Sequence, residues 1–394
     1  KLNRNSKNAL QGHRLISDRE SEIMHPARSD ILQFCDKEER RKYLTKKKNT
    51  LITIRGDIPP HFDIPNGSRI LVISDDQTYL THGLHKYPAK FIPEYPRWTI
   101  QKFTPSLGNF ILDPFSGSGT TNVEARLHKQ YSYAIDIDPL ARFITKVKTT
   151  PLDVPGLRKT QRQILRRLHR PIRDEVDIPD FHNRDYWFKP QVCTDLAFLK
   201  RVIEEEAEEP DTRDFFLICF SSIVRLVSNA DPKLVLPKFS RVMRERERKG
   251  RKIDVFVTFR KTLTKQVPKM IMFSKKCPKE EPYFTKIIGK DARDVDLPND
   301  CVDLAVTSPP YLNAHDYIRA HKFEMYWLGF LHDSKEKLRL ARQLIGTEKV
   351  RVQRYAKLHL TENGKLNKII EKIYQIDKRR AYIVYKYFVD MRKN

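Results

Sequence analysis

The sequence predicts an α/β protein built on a doubly wound, Rossmann-like parallel sheet, and three observations carry that prediction. A short apolar strand at 109–114 runs directly into a glycine-rich turn and then a helix over 122–130. A second strand at 131–137 ends in acidic residues and leads into another helix. After a long interruption, the same pattern resumes with a strand at 285–288 and an apolar run at 302–306.

The amino-terminal part of the chain lacks this pattern. Residues 1–80 are polar, basic and weakly periodic, with a helical patch at 29–46 and a predicted strand at 68–74. We interpret them as an amino-terminal extension whose role the sequence does not indicate. From residue 81 the pattern changes, and a helix over 95–103 precedes the first strand of the predicted sheet.

The interruption lies between the second and third strands. Residues 151–283 show helical patterns at 157–169, 192–208 and 215–229, and they contain a strongly basic tract. We therefore predict a largely helical, basic insertion that divides one sheet domain into two parts, residues 81–150 and 284–394.

The sequence after the fourth strand is again helical in pattern, at 316–331, 366–376 and 378–391. Four strands leave the far edge of such a sheet uncovered, so we expect its carboxyl-terminal strands to be missing from this chain. Either the chain is a piece of a longer protein, or a second chain completes the sheet.

Charge and composition restrict the class of protein. The chain carries a formal net charge of +25 with 39% hydrophobic residues, which predicts a globular protein with a polyanionic partner, most simply nucleic acid. A membrane surface is the rival partner, but no long apolar span supports it. The five cysteines form no C-x-x-C pair, and Cys193, Cys219 and Cys301 are predicted core residues. We expect no metal site and a reducing, cytoplasmic location.

The first candidate site is the glycine turn, made of Phe115, Ser116, Gly117, Ser118 and Gly119. Its two glycines permit positive φ values and a close approach of ligand to backbone. The turn does not continue as the G-x-G-x-x-G dinucleotide fingerprint, and it lacks the G-K-[ST] of a Walker loop. A purely structural turn is the alternative interpretation.

Two acids follow the next strands of the predicted sheet. Asp136 ends the second strand, where a carboxylate can accept hydrogen bonds from both hydroxyls of a ribose. Asp291 follows the third strand and could accept a hydrogen bond from an adenine amine. Taken alone, each acid is more often a capping or turn residue than a ligand.

The fourth strand ends at the SPPY turn, which consists of Ser308, Pro309, Pro310 and Tyr311. The two prolines fix φ and remove two backbone donors, so that carbonyl groups of the turn can face a ligand. A turn with a small hydroxyl and an aromatic face could hold a flat, amine-bearing heterocycle. The alternative is a proline-rich strand end beside a core tyrosine.

These features occur in strand order along one predicted sheet edge. The chain here resembles the amino-group DNA methyltransferases that use S-adenosylmethionine, whose catalytic domain is a class I methyltransferase sheet. The resemblance rests on the glycine turn with its flanking Asp113, Thr120 and Thr121, on the SPPY turn, and on the segment 86–91. It covers residues 82–148 and 284–330, and more weakly 340–391.

The resemblance implies S-adenosylmethionine as cofactor, with the binding residues Lys90, Phe91, Asp113, Phe115, Ser116, Gly117, Ser118, Gly119, Thr120, Asp136 and Asp291. In that arrangement Asp136 holds the ribose and Asp291 the adenine amine. The resemblance further implies that Ser308 and the Pro309 carbonyl bind the amine of a flipped base, and that Tyr311 stacks on the ring.

A basic tract at 238–276 is the candidate DNA-binding region. Phosphate contacts are predicted for Arg241, Arg244, Arg246, Arg248, Lys249, Arg251 and Lys252. Few acids compensate this charge, which favours DNA over the alternative, a solvated helix face.

The sequence thus predicts a site-specific enzyme that methylates the N4 amine of cytosine in duplex DNA, because serine at the start of the SPPY turn is typical of the cytosine-N4 type. The enzyme would be either half of a restriction–modification pair, with a restriction endonuclease as its cognate partner, or a solitary modification enzyme. N6-adenine methylation, a non-catalytic DNA-recognition subunit that needs a partner chain, and methylation of structured RNA are the alternatives.

Overall fold

The computed structural model describes residues 51–169, 175–312 and 316–394, and they fall into two compact units. The described part of the smaller unit, residues 51–55 and 63–73, holds two parallel strands, β1 (Leu51–Arg55) and β2 (Arg69–Ile73). The predicted strand at 68–74 is therefore confirmed, whereas β1 was not foreseen. The helical patch predicted at 29–46 lies outside the described residues.

The larger unit contains the predicted parallel sheet. Its four strands are β3 (Phe110–Asp113), β4 (Tyr131–Ile135), β5 (Thr285–Gly289) and β6 (Leu304–Ala305). They are all parallel and lie in the order β5-β4-β3-β6. The strand order reverses beside β3, since the next strand along the chain pairs on one side and the last on the other. Ligands of doubly wound sheets bind at the carboxyl ends of strands at such a switch point.

The fourth strand is shorter than the apolar run predicted. Only Leu304 and Ala305 pair in the ladder with β3. Hydrogen bonds on either side extend the contact: Asp303 binds Phe110 through both its backbone and its carboxylate, and Val306 N donates to the Leu112 carbonyl at 2.9 Å. These bonds fix the register in which β6 delivers the SPPY turn to the sheet edge.

Helices make up most of the remaining described residues of this unit. Before and beside the sheet lie a 3-10 helix (Leu80–Gly83), α1 (Glu94–Phe103), α2 (Thr120–Leu127) and α3 (Pro139–Thr149). Between β4 and β5 follow α4 (Val154–Arg167), α5 (Arg184–Trp187), α6 (Pro190–Glu206), α7 (Pro210–Val224), α8 (Arg241–Arg248) and α9 (Val255–Lys276). After β6 come α10 (Tyr317–Ala320), α11 (Lys322–Trp327), α12 (Ser334–Gln343), α13 (Val352–Tyr355), α14 (Gly364–Ile376) and α15 (Lys378–Lys393).

The helix starts are encoded locally. The side chains of Asp138, Asp153, Glu209, Ser240 and Asp254 each accept a hydrogen bond from a backbone N–H in the first turn of the helix that follows. Such caps satisfy N–H groups that have no partner inside the helix. The helix predicted at 316–331 is instead two short helices, α10 and α11, that meet at His321.

The helices between β4 and β5 share an apolar core with the sheet's own helices. Phe215 and Phe216 of α7 and Phe259 of α9 are fully buried in the same cluster as Leu140 and Ile144 of α3. Because this core is continuous, the loops of the helical region are held in a fixed position relative to the sheet edge. The predicted domain boundaries stay predictions. No helix in the described part of the chain is long and apolar enough to cross a membrane.

Candidate active site

A cavity of about 290 Å³ opens at the carboxyl ends of the sheet strands. It brings together most residues predicted for the site, namely Lys90, Phe91, Asp113, Phe115, Ser116, Gly117, Ser118, Thr120, Asp136, Asp291, Ser308, Pro310 and Tyr311. Two predicted residues, Gly119 and Pro309, do not line it. The cavity therefore spans from the glycine turn at one end to the SPPY turn at the other.

The glycine turn depends on both of its glycines, but for different reasons. Gly117 and Gly119 have φ values of +50° and +73°, which side chains disfavour. A Cβ on Gly119 would lie 2.8 Å from the Thr145 hydroxyl of α3, so this glycine allows the turn to pack closely on that helix. A Cβ on Gly117 would lie 3.4 Å from the Tyr87 ring, at the wall of the cavity.

Asp136 is held by the backbone on both carboxylate oxygens. Gly117 N donates to Oδ2 and Asp138 N to Oδ1, each at 2.8 Å. Burial, with a smaller effect of the nearby Asp138 carboxylate, raises the pKa of Asp136 to about 7. The second strand end is thus fixed to the glycine turn, with a carboxylate whose charge changes near neutral pH.

Asp113 connects the two motifs. Its Oδ1 accepts hydrogen bonds from Phe115 N at 3.1 Å and from the Thr307 hydroxyl at 2.6 Å. Burial raises the pKa of this carboxyl to about 6. Since Thr307 immediately precedes Ser308, this bond sets the position of the SPPY turn relative to the glycine turn.

Two side chains of α3 donate hydrogen bonds to carbonyls of the glycine turn, and the prediction from the sequence did not include them. Lys148 is fully buried and donates from Nζ to the Ser118 carbonyl at 2.9 Å, and Thr145 donates to the Gly117 carbonyl at 3.2 Å. Burial lowers the pKa of Lys148 well below its usual value. Their spacing of three residues on a helix that follows β4 was the available signal.

Asp291 is bound by an arginine that the sequence reasoning also missed. Arg293 donates from Nε at 2.8 Å and from Nη2 at 2.6 Å to the two carboxylate oxygens, and it lowers the pKa of Asp291. The same guanidinium lies 3.1 Å from Asp390 of α15. Arg293 therefore keeps the acid at the third strand end ionised and oriented, and α15 in turn contacts Arg293 through Asp390.

The SPPY turn is more open than the rest of the cavity. Tyr311 is 59% exposed, and no partner among the described residues binds the Ser308 hydroxyl. Pro309 is exposed, while the Pro310 carbonyl accepts a hydrogen bond from the Tyr387 hydroxyl of α15 at 3.0 Å. The turn is thus fixed through its backbone, and its hydroxyl and aromatic ring stay available.

Aromatic rings form one wall between the two turns. Tyr87 stacks on Tyr317 and His321, with ring centroids 5.7 and 4.9 Å apart, and its hydroxyl lies 3.3 Å from Asp138. On the same side of the site, Lys90 donates to the Gln77 carbonyl at 2.7 Å, and burial lowers its pKa. These contacts hold the segment before α1 against the cavity.

Comparison with known proteins bears directly on this arrangement. The family model for N6/N4 DNA methylases matches residues 27–146, a segment that includes the glycine turn and Asp136. Type II methyltransferase M.MvaI of Kocuria varians is 29% identical over 343 residues, which are 80% of this chain and 72% of that protein. Both matches support a relationship to the amino-group DNA methyltransferase family.

Two further relatives match over smaller parts of their own length. Type II methyltransferase M.MjaII of Methanocaldococcus jannaschii is 36% identical over 89 residues, 23% of this chain and 17% of that protein. Type II methyltransferase M.BsoBI of Geobacillus stearothermophilus is 25% identical over 285 residues, 66% of this chain and 55% of that protein. This chain thus spans less than two thirds of either. No solved structure matches it significantly.

The predicted DNA-binding residues of the chain differ in their surroundings. Arg241, Arg244 and Arg248 border a shallow groove on α8, and Arg246, Lys249 and Lys252 are exposed. Arg248 and Lys249 lie 3.6 and 3.5 Å from Glu245. Arg251 instead binds the carbonyls of Ser228 and Leu226 at 2.9 and 2.8 Å, so its guanidinium holds a loop in place.

The cysteines of the chain follow the prediction in part. Cys193 and Cys219 are buried, as is Cys277, whereas Cys301, predicted for the core, is only half-buried. Burial raises the pKa of the Cys193 thiol to about 11. Cys35 lies outside the described residues. Within residues 51–169, 175–312 and 316–394, no group of three or more His, Cys, Asp and Glu side chains could hold a metal ion.

Proposed function

We propose that this chain transfers a methyl group from S-adenosylmethionine to the N4 amine of cytosine in duplex DNA, as the modification enzyme of a restriction–modification system. One observation carries the proposal: an open hydroxyl–proline–aromatic turn lies at one end of a cavity whose other end is a glycine turn with the half-buried strand-end carboxylate of Asp136. The hydrogen bond between Asp113 and Thr307 ties the two ends together.

The residues at the glycine-turn end of the cavity, here called the closed end, fit S-adenosylmethionine. Gly117 leaves free the space beside Tyr87 that a Cβ would fill, and Asp136 points a carboxylate into the cavity that can accept from both ribose hydroxyls. Asp291, kept ionised by Arg293, can accept from the adenine amine. When bound, the cofactor supplies an electrophilic methyl group.

The residues at the SPPY-turn end of the cavity, here called the open end, fit the amine of a base. An exocyclic amine is a poor nucleophile because its lone pair is delocalised into the ring. Ser308 Oγ and the Pro309 carbonyl accept hydrogen bonds from the two amine N–H groups, and this moves nitrogen electron density back towards the reacting face. The nitrogen gains the methyl group and loses one of its two protons to solvent. Rate is gained through orientation of the reactants, and no covalent enzyme intermediate is needed.

Duplex DNA must deliver its base to this turn. Extrusion of the base costs a few kcal/mol of unstacking, and stacking on the exposed Tyr311 ring returns about 1–3 kcal/mol. The exposed cations of α8 and the segment after it, Arg241, Arg244, Arg246, Arg248, Lys249 and Lys252, contact backbone phosphates. Base-specific contacts are assigned to none of them, since phosphate contacts position a protein without reading sequence.

The decisive experiment incubates genomic DNA with the chain and labelled S-adenosylmethionine, followed by nucleoside analysis. We expect the label in N4-methylcytosine. Label in N6-methyladenine would assign the alternative base, and no label with intact cofactor binding would favour a recognition subunit that needs a second chain.

The role of Ser308 is tested by Ser308→Ala. Loss of one preorganised polar contact to the reacting group should lower kcat by roughly 10²–10³-fold, with unchanged affinity for S-adenosylmethionine. Ser334→Ala, an exposed serine of α12 outside the cavity, is the matched control and should keep full activity. A Ser308→Ala enzyme with wild-type kcat would show that this hydroxyl has no part in the reaction.

A further inference from the structure

The loop at 231–238, here called the tip loop, connects α7 to α8 and carries an apolar tip. Asp231 N donates to the Lys238 carbonyl at 2.9 Å and closes the loop at its base. Between these ends the chain presents three consecutive apolar side chains, Leu234, Val235 and Leu236. This apolar tip has no part in the chemistry assigned above.

The tip is exposed on one side and reaches the active site on the other. Leu234 and Val235 are 40% and 47% exposed. Leu236 lines the same cavity as Ser308 and Tyr311. The tip loop therefore stands at the cavity mouth where a base would enter.

The tip loop is held rigidly from its inner side. Arg225 Nη1 donates to the Val235 carbonyl at 2.8 Å, and Nη2 donates to the Leu234 carbonyl. The buried Asp231 carboxylate accepts from the Ser240 hydroxyl at 2.7 Å and from Lys233 N at 3.0 Å. With the backbone bound on the inner side, the leucine and valine side chains are left facing outward, and little order has to be gained on binding.

The charge around the tip identifies its partner. Lys233 and Lys238 flank the apolar residues, and Arg241 and Arg244 follow at the start of α8. Within the described ranges, none of these four cations has a carboxylate at ion-pair distance. Cations without a carboxylate partner can contact phosphates, and the apolar side chains between them can contact stacked bases. A nucleic acid duplex offers both groups side by side.

We propose that the tip loop is a wedge that inserts Leu234 and Val235 into the duplex at the target base pair and fills the space that the flipped base leaves. This inference rests on the proposed function. Leu236 then forms the boundary between the duplex and the cavity. Apolar side chains that enter a base step act in this way by replacing lost stacking with their own contacts.

The test compares Leu234→Ala/Val235→Ala with a matched control, Val257→Ala/Leu338→Ala, which shortens two exposed apolar side chains on α9 and α12. The substrates are the duplex that wild type methylates and the same duplex with an abasic site opposite the target base. Pyrrolocytosine at the target position reports base extrusion by its fluorescence. Cofactor binding and thermal melting establish that each variant is folded.

We expect the tip variant to lose about tenfold or more in methylation of the paired duplex and to give a weaker fluorescence rise. Activity should return towards wild type on the abasic duplex, where extrusion is easier, and the control should match wild type on both. A tip variant as active as wild type on the paired duplex, or equally impaired on both duplexes, would overturn the wedge. If wild type methylates no duplex DNA, the proposed function fails and this inference fails with it.

Discussion

The two ends of the cavity are built in opposite ways. At the glycine-turn end, Asp113 and Asp136 are held by backbone N–H groups and side chains, and burial raises both pKa values. At the SPPY-turn end, Tyr311 is 59% exposed, and the Ser308 hydroxyl has no partner in the described part of the chain.

This difference indicates that the two ends bind their ligands in different ways. The closed end is complete before any ligand arrives, so its groups lose little entropy on binding. Under the proposed function, the open end keeps its acceptors free for a base extruded from a duplex. Its position is fixed indirectly, through Thr307 on one side and Tyr387 of α15 on the other.

The largest effect is expected at the closed end, from Gly119→Ala. The new methyl group meets Thr145 at 2.8 Å while φ is +73°, so the free energy of unfolding should fall by roughly 2–4 kcal/mol. Gly250→Ala is the control, because its φ is +75° but no atom lies within 4 Å of the added carbon. Chemical denaturation measures the free energy of unfolding of both variants. Equal losses would mean that the contact of residue 119 with α3 adds nothing to the cost of the positive φ.

A second prediction concerns Asp136→Asn. One carboxylate oxygen becomes an amide group that cannot accept the backbone N–H of Gly117 or Asp138, and the charge is lost. Affinity for S-adenosylmethionine should fall by about 10–100-fold in calorimetry, the value of a hydrogen bond to a charged group. Asp180→Asn, an exposed carboxylate outside the cavity, should bind as wild type does.

The same residue predicts a pH dependence of binding. Because the pKa of Asp136 is raised to about 7 in the free protein, the carboxyl is largely neutral below that pH. Ribose hydroxyls donate to the ionised form, so affinity should rise with pH and level off above about 7. Asp136→Asn should remove this rise near pH 7. A wild-type affinity that falls between pH 6 and 8 would contradict the role given to Asp136.

The smallest effect is expected at the open end, from Tyr387→Phe. The Pro310 carbonyl loses one hydrogen bond, so kcat should fall by about 2–10-fold while cofactor affinity stays constant. Tyr385→Phe is the control. The Tyr385 ring contacts His359, and its hydroxyl makes no hydrogen bond within the residues that the structure describes. If cofactor affinity falls instead of kcat, α15 supports the whole cavity and the two ends are not independent.

Most elements of the site could be predicted because they are local. The strands β3, β4 and β5, the glycine turn and the acid at 136 follow one another over short stretches with clear apolar and turn patterns. The SPPY turn was predicted for the same reason. Its supports were not, because Asp113 and Thr307 are 194 residues apart and Pro310 and Tyr387 are 77 apart.

The sequence alone determined the parallel α/β fold and the residue types at the strand ends, since periodicity and turn chemistry act between near neighbours. Only the tertiary structure decided which of those residues share a cavity, how Arg293 orients Asp291, and that Leu236 reaches the same cavity as Ser308. Gly119 and Arg251 were predicted as ligand contacts, and only the tertiary structure shows that Gly119 also packs on α3 and that Arg251 also holds a loop. Packing of distant segments sets burial, and burial sets the pKa and the exposure on which function depends.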